Sequence, residues 1–130
     1  MKTNLKAGFP VKKFEGETKR YCQMIDLKYD PELIADYRKL HSEEGVWQST
    51  LDAIHAAGIL EMEIYCCGNR LFMIVEMPAD LDWDEAMDKM ANYPGQMEWE
   101  RLTAKFQQTD PSGTSAEKWT LMDRIFRLYR

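Results

Sequence analysis

The chain has 130 residues and a formal net charge of −5. That length suits one domain with a sizeable core. The charge balance argues against nucleic acid as a partner, because phosphate binding needs clustered Lys and Arg. No run is apolar enough for a membrane span or a signal peptide, so no membrane partner is expected and the cytoplasm is the expected compartment. Three cysteines without CxxC spacing give neither a disulfide framework nor a thiolate metal site. Cys66 and Cys67 are neighbours on a predicted strand, point to opposite faces and cannot clamp one ion together. Reduced thiols are expected, with no metal and no cofactor.

Residues 1–18 lack periodicity and hold Gly8, Pro10 and Gly16. They are expected to form an extension outside a core domain of residues 19–130. Residues 20–28 read as a strand, apolar on both faces, with Asp26 either paired or near its end. Asp30-Pro31-Glu32 is a helix start: an N-cap, a proline in the first turn, then an acidic residue suited to the dipole. Leu33, Ile34, Tyr37, Leu40 and His41 follow at helical spacing, and residues 42–45 interrupt them. A second helical stretch carries a stripe of Trp47, Leu51 and Ile54 and stops at Gly58.

The centre of the chain is a hairpin. Met62, Ile64 and Cys66 alternate with Glu61, Glu63 and Tyr65, and Gly68-Asn69 suits the positive φ angles of a two-residue turn. The return strand, residues 71–75, is apolar on both faces and must be covered on both. Asp82 and Glu85 form a capping-box-like pair before a helix whose stripe is Trp83, Ala86, Met87 and Met90. Tyr93-Pro94-Gly95 breaks it, and a further helix sets Trp99, Leu102, Thr103 and Phe106 on one side. A Pro/Gly/Ser loop over 109–115 leads to a final edge strand over 119–129.

Strand, helix, strand, strand, helix, strand is an α+β chain of ferredoxin-like βαββαβ order. That topology makes the first and third strands central, and those are the two that are apolar on both faces. Helices cover one face of such a sheet. A second copy is the expected cover for the other, giving a homodimer with facing sheets.

His55 falls off its helical stripe and reads as a surface residue. His41 follows Tyr37 by four residues, so imidazole and phenol share a helix face where the helix breaks. Such a pair can move protons near neutral pH. Trp47 and Trp99 lie beside chain interruptions, with Glu98 next to Trp99. Packing explains each tryptophan alone; together with a carboxylate and a histidine they are what a sugar site needs. Alternatives on the same scaffold are a non-catalytic sugar-binding or regulatory module, or a cofactor-free oxygenase or lyase.

Several separated motifs carry a family resemblance over about residues 19–129. They are Arg20-Tyr21-Cys22 leading to Asp26-Leu27, Tyr37-x-x-x-His41, Trp47 and Gly58-Ile59. Met62-Glu63-Ile64-Tyr65 and Gly68-Asn69-Arg70-Leu71-Phe72-Met73-Ile74 follow, then Glu98-Trp99-Glu100, and Trp119 with Met122 and Ile125-Phe126. In this order the chain resembles the L-rhamnose mutarotase family, including relatives acting on L-fucose. The resemblance implies a dimeric α/β barrel that interconverts the α and β anomers of a deoxy-hexose, L-rhamnose first and L-fucose second, without a cofactor. It implies His41 as proton donor, Tyr37 in the site, and Trp47, Glu98 and Trp99 around the sugar. Two departures bear on which sugar is bound. The His41-to-Trp47 spacing exceeds His-x-x-x-Trp, with Gln48 where Pro is usual, and Glu98 takes the first place of a Trp-Trp pair.

Overall fold

The computed structural model describes residues 5–110 and 112–129. After a turn of 3₁₀ helix at Leu5–Ala7, the elements are β1 (Thr18–Asp26), α1 (Pro31–Leu40), α2 (Gln48–Ala56), β2 (Glu61–Cys67), β3 (Arg70–Pro78), α3 (Trp83–Ala91), α4 (Gln96–Ala104), α5 (Ser115–Lys118) and β4 (Thr120–Leu121). The four strands form one antiparallel sheet in the order β2-β3-β1-β4. This is the ferredoxin-like α+β arrangement, with β1 and β3 central as the apolar pattern requires.

Alternation along β3 decides where the core lies. Leu71, Met73, Val75 and Met77 are buried, while Phe72, Ile74 and Glu76 between them are only half-buried. The buried set joins Ile25 and Leu27 with Ala53 of α2, its C-cap Ala57, and Ala86, Met87 and Met90 of α3 in one cluster. β3 is therefore sealed on its helix-facing side alone within this chain. Its other face meets Cys22 and Met24 of β1 and Glu63 and Tyr65 of β2 in register. The N-terminal segment touches that face where Phe9 meets the Tyr65 ring edge-on at 5.7 Å.

Local chemistry sets the boundaries. The Asp30 carboxylate accepts the backbone N–H groups of Glu32 and Leu33, satisfying donors that α1 cannot pair internally. Asp82 does the same for Glu85 at the start of α3. In the hairpin only Gly68 takes a positive φ (61°), as in a type II′ turn. Asn69 instead ties the turn to β1, its backbone and side chain both bonding Leu27. Asp26, at the end of β1, pairs with Arg70 at 2.8 Å.

Three expectations are corrected. The final strand is only Thr120–Leu121, paired with Gln23 and Met24 and extended by one bond from Met122 N–H to Cys22. Residues 115–118 form α5, made by a capping box in which Thr114 and Glu117 serve each other's backbone N–H. The buried face of α2 is Thr50, Ala53 and, beyond the helix, Ala57, with Trp47 and Leu51 each 37% exposed. Trp47 is the N-cap residue, so its direction is not set by the helical stripe.

Candidate active site

Between the helices and the sheet lies a partly open cavity of about 260 Å³. The sheet contributes an apolar floor of Met62, Ile64 and Met73, joined by Ile54 and Met90 from the helices. The polar wall comes from α1 and α4: Tyr37 and His41 from one, Gln96, Glu100 and Thr103 from the other. Val46, Thr50, Trp99, Gln107, Ser115 and Trp119 also line it.

His41 caps the C-terminus of α1. Its ring stacks on that of Tyr37, with centroids 4.1 Å apart and planes 30° apart. Nδ1 lies 2.9 Å from the Tyr37 carbonyl oxygen. A carbonyl can only accept, so Nδ1 carries the proton and Nε2 of the neutral ring is a free acceptor. Burial lowers the His41 pKa below its usual value, only partly offset by that backbone bond. The resting ring is thus neutral, with Nε2 unprotonated. The donor role implied by the resemblance requires the imidazolium, which burial disfavours.

Tyr37 is buried, and desolvation raises its pKa well above the ordinary phenol value; the bond from Gln107 opposes this and the Glu100 charge adds to it. Gln107 Nε2 donates to the phenol oxygen at 3.4 Å, so the phenol keeps its own proton for another acceptor. An aromatic chain fixes the pair in place. Trp99 meets His41 at 5.3 Å and Trp47 at 5.2 Å, both edge-on, and Phe106 meets Tyr37 at 6.0 Å.

Of the residues singled out from the sequence, Tyr37, His41 and Trp99 are brought together in the cavity wall. Trp47 touches Trp99 but is not part of the wall. Glu98 is exposed and outside it. The carboxylate that stands there is Glu100, 5% exposed and paired with buried Lys118 at 2.8 Å. The period of the chain holds a signal for Glu100: Gln96, Trp99, Glu100, Thr103 and Gln107 recur at helical spacing on one face, and Glu98 is about 200° around from Gln96, on the opposite side. Lys118 falls between the expected loop over 109–115 and the expected strand over 119–129, where Thr114-x-x-Glu117 announces a helix.

Three buried polar atoms in this wall have no partner among the described residues: Thr50 Oγ1, Gln96 Oε1 and Gln107 Oε1. Each leaves an unmet bond costing about 1–3 kcal/mol, a requirement that a ligand rich in hydroxyl groups would meet. Among the described residues no group of three or more His, Cys, Asp and Glu is placed to hold a metal. Cys22, Cys66 and Cys67 are free thiols. No helix among the described residues is long and apolar enough to cross a membrane.

Comparison with known proteins agrees with the geometry. A family model described as L-rhamnose mutarotase matches residues 20–128. An L-fucose mutarotase of Xanthomonas campestris pv. campestris is 36% identical over 109 residues, 84% of this chain and 87% of that protein. A UPF0734 protein of Dictyostelium discoideum is 38% identical over 114 residues, 85% of this chain and 90% of that protein. The crystal structure of an L-rhamnose mutarotase from Formosa agariphila superposes with a TM-score of 0.62, covering 85% of this chain and 98% of that one. At 17% identity it speaks to the fold. A matched span of nearly the whole chain and a one-third-identical relative place this protein in the L-rhamnose mutarotase family of isomerases.

Proposed function

We propose that this chain interconverts the α and β anomers of a 6-deoxy-L-hexose by opening and reclosing the sugar ring, with L-fucose the first substrate to try and L-rhamnose the second. The observation that carries the reading is the pairing of an imidazole acceptor at His41 with the protonated phenol of Tyr37 in one cavity wall. The order of sugars follows the name of the 36%-identical Xanthomonas relative, while the family description keeps L-rhamnose in view.

In the proposed cycle His41 Nε2 takes the proton of the anomeric hydroxyl as the bond from the anomeric carbon to the ring oxygen breaks. The Tyr37 hydroxyl supplies a proton to that oxygen. The open aldehyde turns about its C1–C2 bond. On closure tyrosinate takes its proton back as the ring oxygen attacks the opposite carbonyl face, and the imidazolium returns its proton to the former carbonyl oxygen. Both groups end as they began. Anomers interconvert unaided, so acid–base assistance of about 10²–10⁴-fold is sufficient.

The same reading pairs two copies through the open sheet face. Half-buried Cys22, Met24, Phe72 and Ile74, together with exposed Ile125 and Phe126, supply the apolar surface that such a homodimer needs. Free thiols suit a reducing cytoplasm.

The deciding experiment is anomer exchange measured by saturation-transfer NMR, with L-fucose and L-rhamnose side by side. Acceleration over buffer with either sugar supports the reading. Exchange at the uncatalysed rate with both overturns it. A monomer by sedimentation overturns the pairing.

A further inference from the structure

Helices α4 and α5 build a second polar feature in the cavity, one that the proton-transfer pair does not use. Lys118 Nζ, 1% exposed at the side chain, reaches Glu100 Oε2 at 2.8 Å, the Glu100 carbonyl oxygen at 2.9 Å and Thr103 Oγ1 at 3.3 Å. All three of its N–H groups are engaged within the chain, so none remains for a ligand. Gln96 Nε2 donates to Glu100 Oε1 at 3.0 Å. A carboxylate cannot donate, which fixes that amide and leaves Gln96 Oε1 unpartnered and buried. Glu100 keeps about two of its roughly four lone-pair sites. Gln107 Oε1 is likewise unpartnered, in a residue only 2% exposed.

What remains unpaired here is mainly acceptor capacity on three side chains of one wall. A phosphorylated or carboxylated ligand brings acceptors and a negative charge, and would face a carboxylate whose neutralising lysine is already engaged. An apolar ligand would leave every one of these atoms unmet. A neutral ring with several O–H donors meets them.

We propose that Glu100, held in place by Lys118 and Gln96, acts with Gln96 Oε1 and Gln107 Oε1 as the specificity-determining pole of the pocket, accepting hydrogen bonds from ring hydroxyls other than the anomeric one. This rests on the mutarotase reading of the same cavity. L-fucose and L-rhamnose differ only in configuration at C2 and C4, so an epimer turns a hydroxyl away from a fixed acceptor. A pole locked by a buried ion pair cannot follow it. Sites built to hold a hydroxyl reject ligands that fail to present it far more strongly than apolar pockets reject size differences.

The test measures sugar affinity through the fluorescence of the wall tryptophans and anomer exchange by NMR, in the wild type and in the double variant Glu100→Gln/Lys118→Met. The double variant removes both charges together and so avoids a buried unpaired ion. Affinity for the preferred sugar is expected to fall at least about 10-fold, the scale of a hydrogen bond to a charged group. The ratio between the two sugars should move toward one. Gln107→Met, which keeps the volume and deletes the acceptor, is the second variant; it should weaken binding in the same direction and answers the question should the double variant not fold.

A folded double variant with wild-type affinity and wild-type preference overturns the proposal, as does an unchanged Gln107→Met if only that variant folds. If the wild type accelerates exchange while these variants bind as it does, this proposal fails and the mutarotase reading stands. If sugar binding depends on Glu100 but the wild type accelerates nothing, the reverse holds. A wild type that neither binds nor exchanges either sugar overturns both.

Discussion

His41 stacks on Tyr37 at 4.1 Å and bonds through Nδ1 to the carbonyl oxygen of that same residue. One residue thus sets both the tautomer and the orientation of the other. His41→Ala should remove most of the acceleration of anomer exchange, about 10²-fold or more, because no other imidazole lines the cavity. Circular dichroism and thermal unfolding should still report a folded chain. Exchange at the wild-type rate would take His41 out of the mechanism.

Acidification tests the protonation state. Burial lowers the His41 pKa, so the neutral acceptor predominates at pH 7 and is lost only as pH falls through that lowered value. Activity carried by the base should be level above neutrality and decline on acidification; activity carried by an imidazolium donor would climb instead. Stability follows the same linkage. Below about pH 6.5 the unfolded chain binds a proton that folded His41 resists, so unfolding becomes easier as pH drops, and stability is level above it. Denaturant melts of wild type and His41→Ala between pH 5 and 8 should diverge on the acid side only.

Tyr37→Phe keeps the ring stack and deletes one hydroxyl. The variant should lose about 1 kcal/mol of stability with the bond from Gln107, while exchange should fall at least about 10²-fold through loss of the proton donor. Near-normal exchange would assign Tyr37 to packing alone.

The two tryptophans should separate. Trp99 is 5% exposed and contacts both His41 and Trp47, so Trp99→Ala should cost about 3–5 kcal/mol and abolish exchange. Trp47 is 37% exposed and capped by no packing stripe, and Trp47→Ala should cost about 1 kcal/mol or less. Equal losses in melting temperature would contradict this division.

Gly45 closes the turn that leads from His41 to Val46 in the cavity wall. A Cβ there would collide with the carbonyl oxygens of Lys39 and Leu40. Gly45→Ala should therefore shift the end of α1, cost about 1–3 kcal/mol and lower exchange without touching a catalytic atom. A melt indistinguishable from wild type would show that the turn gives way freely.

Patterns of period 2 and 3.6 were enough to order the strands and helices, to place β1 and β3 at the centre and to set Tyr37 beside His41, because each depends on neighbours a few residues apart. The caps at Asp30 and Asp82 are equally local. The carboxylate of the cavity wall is a different case. The local period of α4 puts Glu100 on the face of Gln96, Trp99 and Thr103 and Glu98 off it, but that this face meets Tyr37 and His41 is set by packing between segments far apart in the chain.

The short last strand has the same origin. Residues 119–129 pair with β1 at only two positions, Thr120 and Leu121, plus one bond from Met122, although β1 runs on to Thr18; α5 places Trp119 in the core just before them. The sequence by itself determined which residues are able to transfer a proton and which faces are apolar. Only the tertiary structure decided which of them share a cavity: Lys118 lies eighteen residues from Glu100 and Gln107 seventy from Tyr37, and a bond between distant residues is chosen by how the layers pack, which no local period encodes.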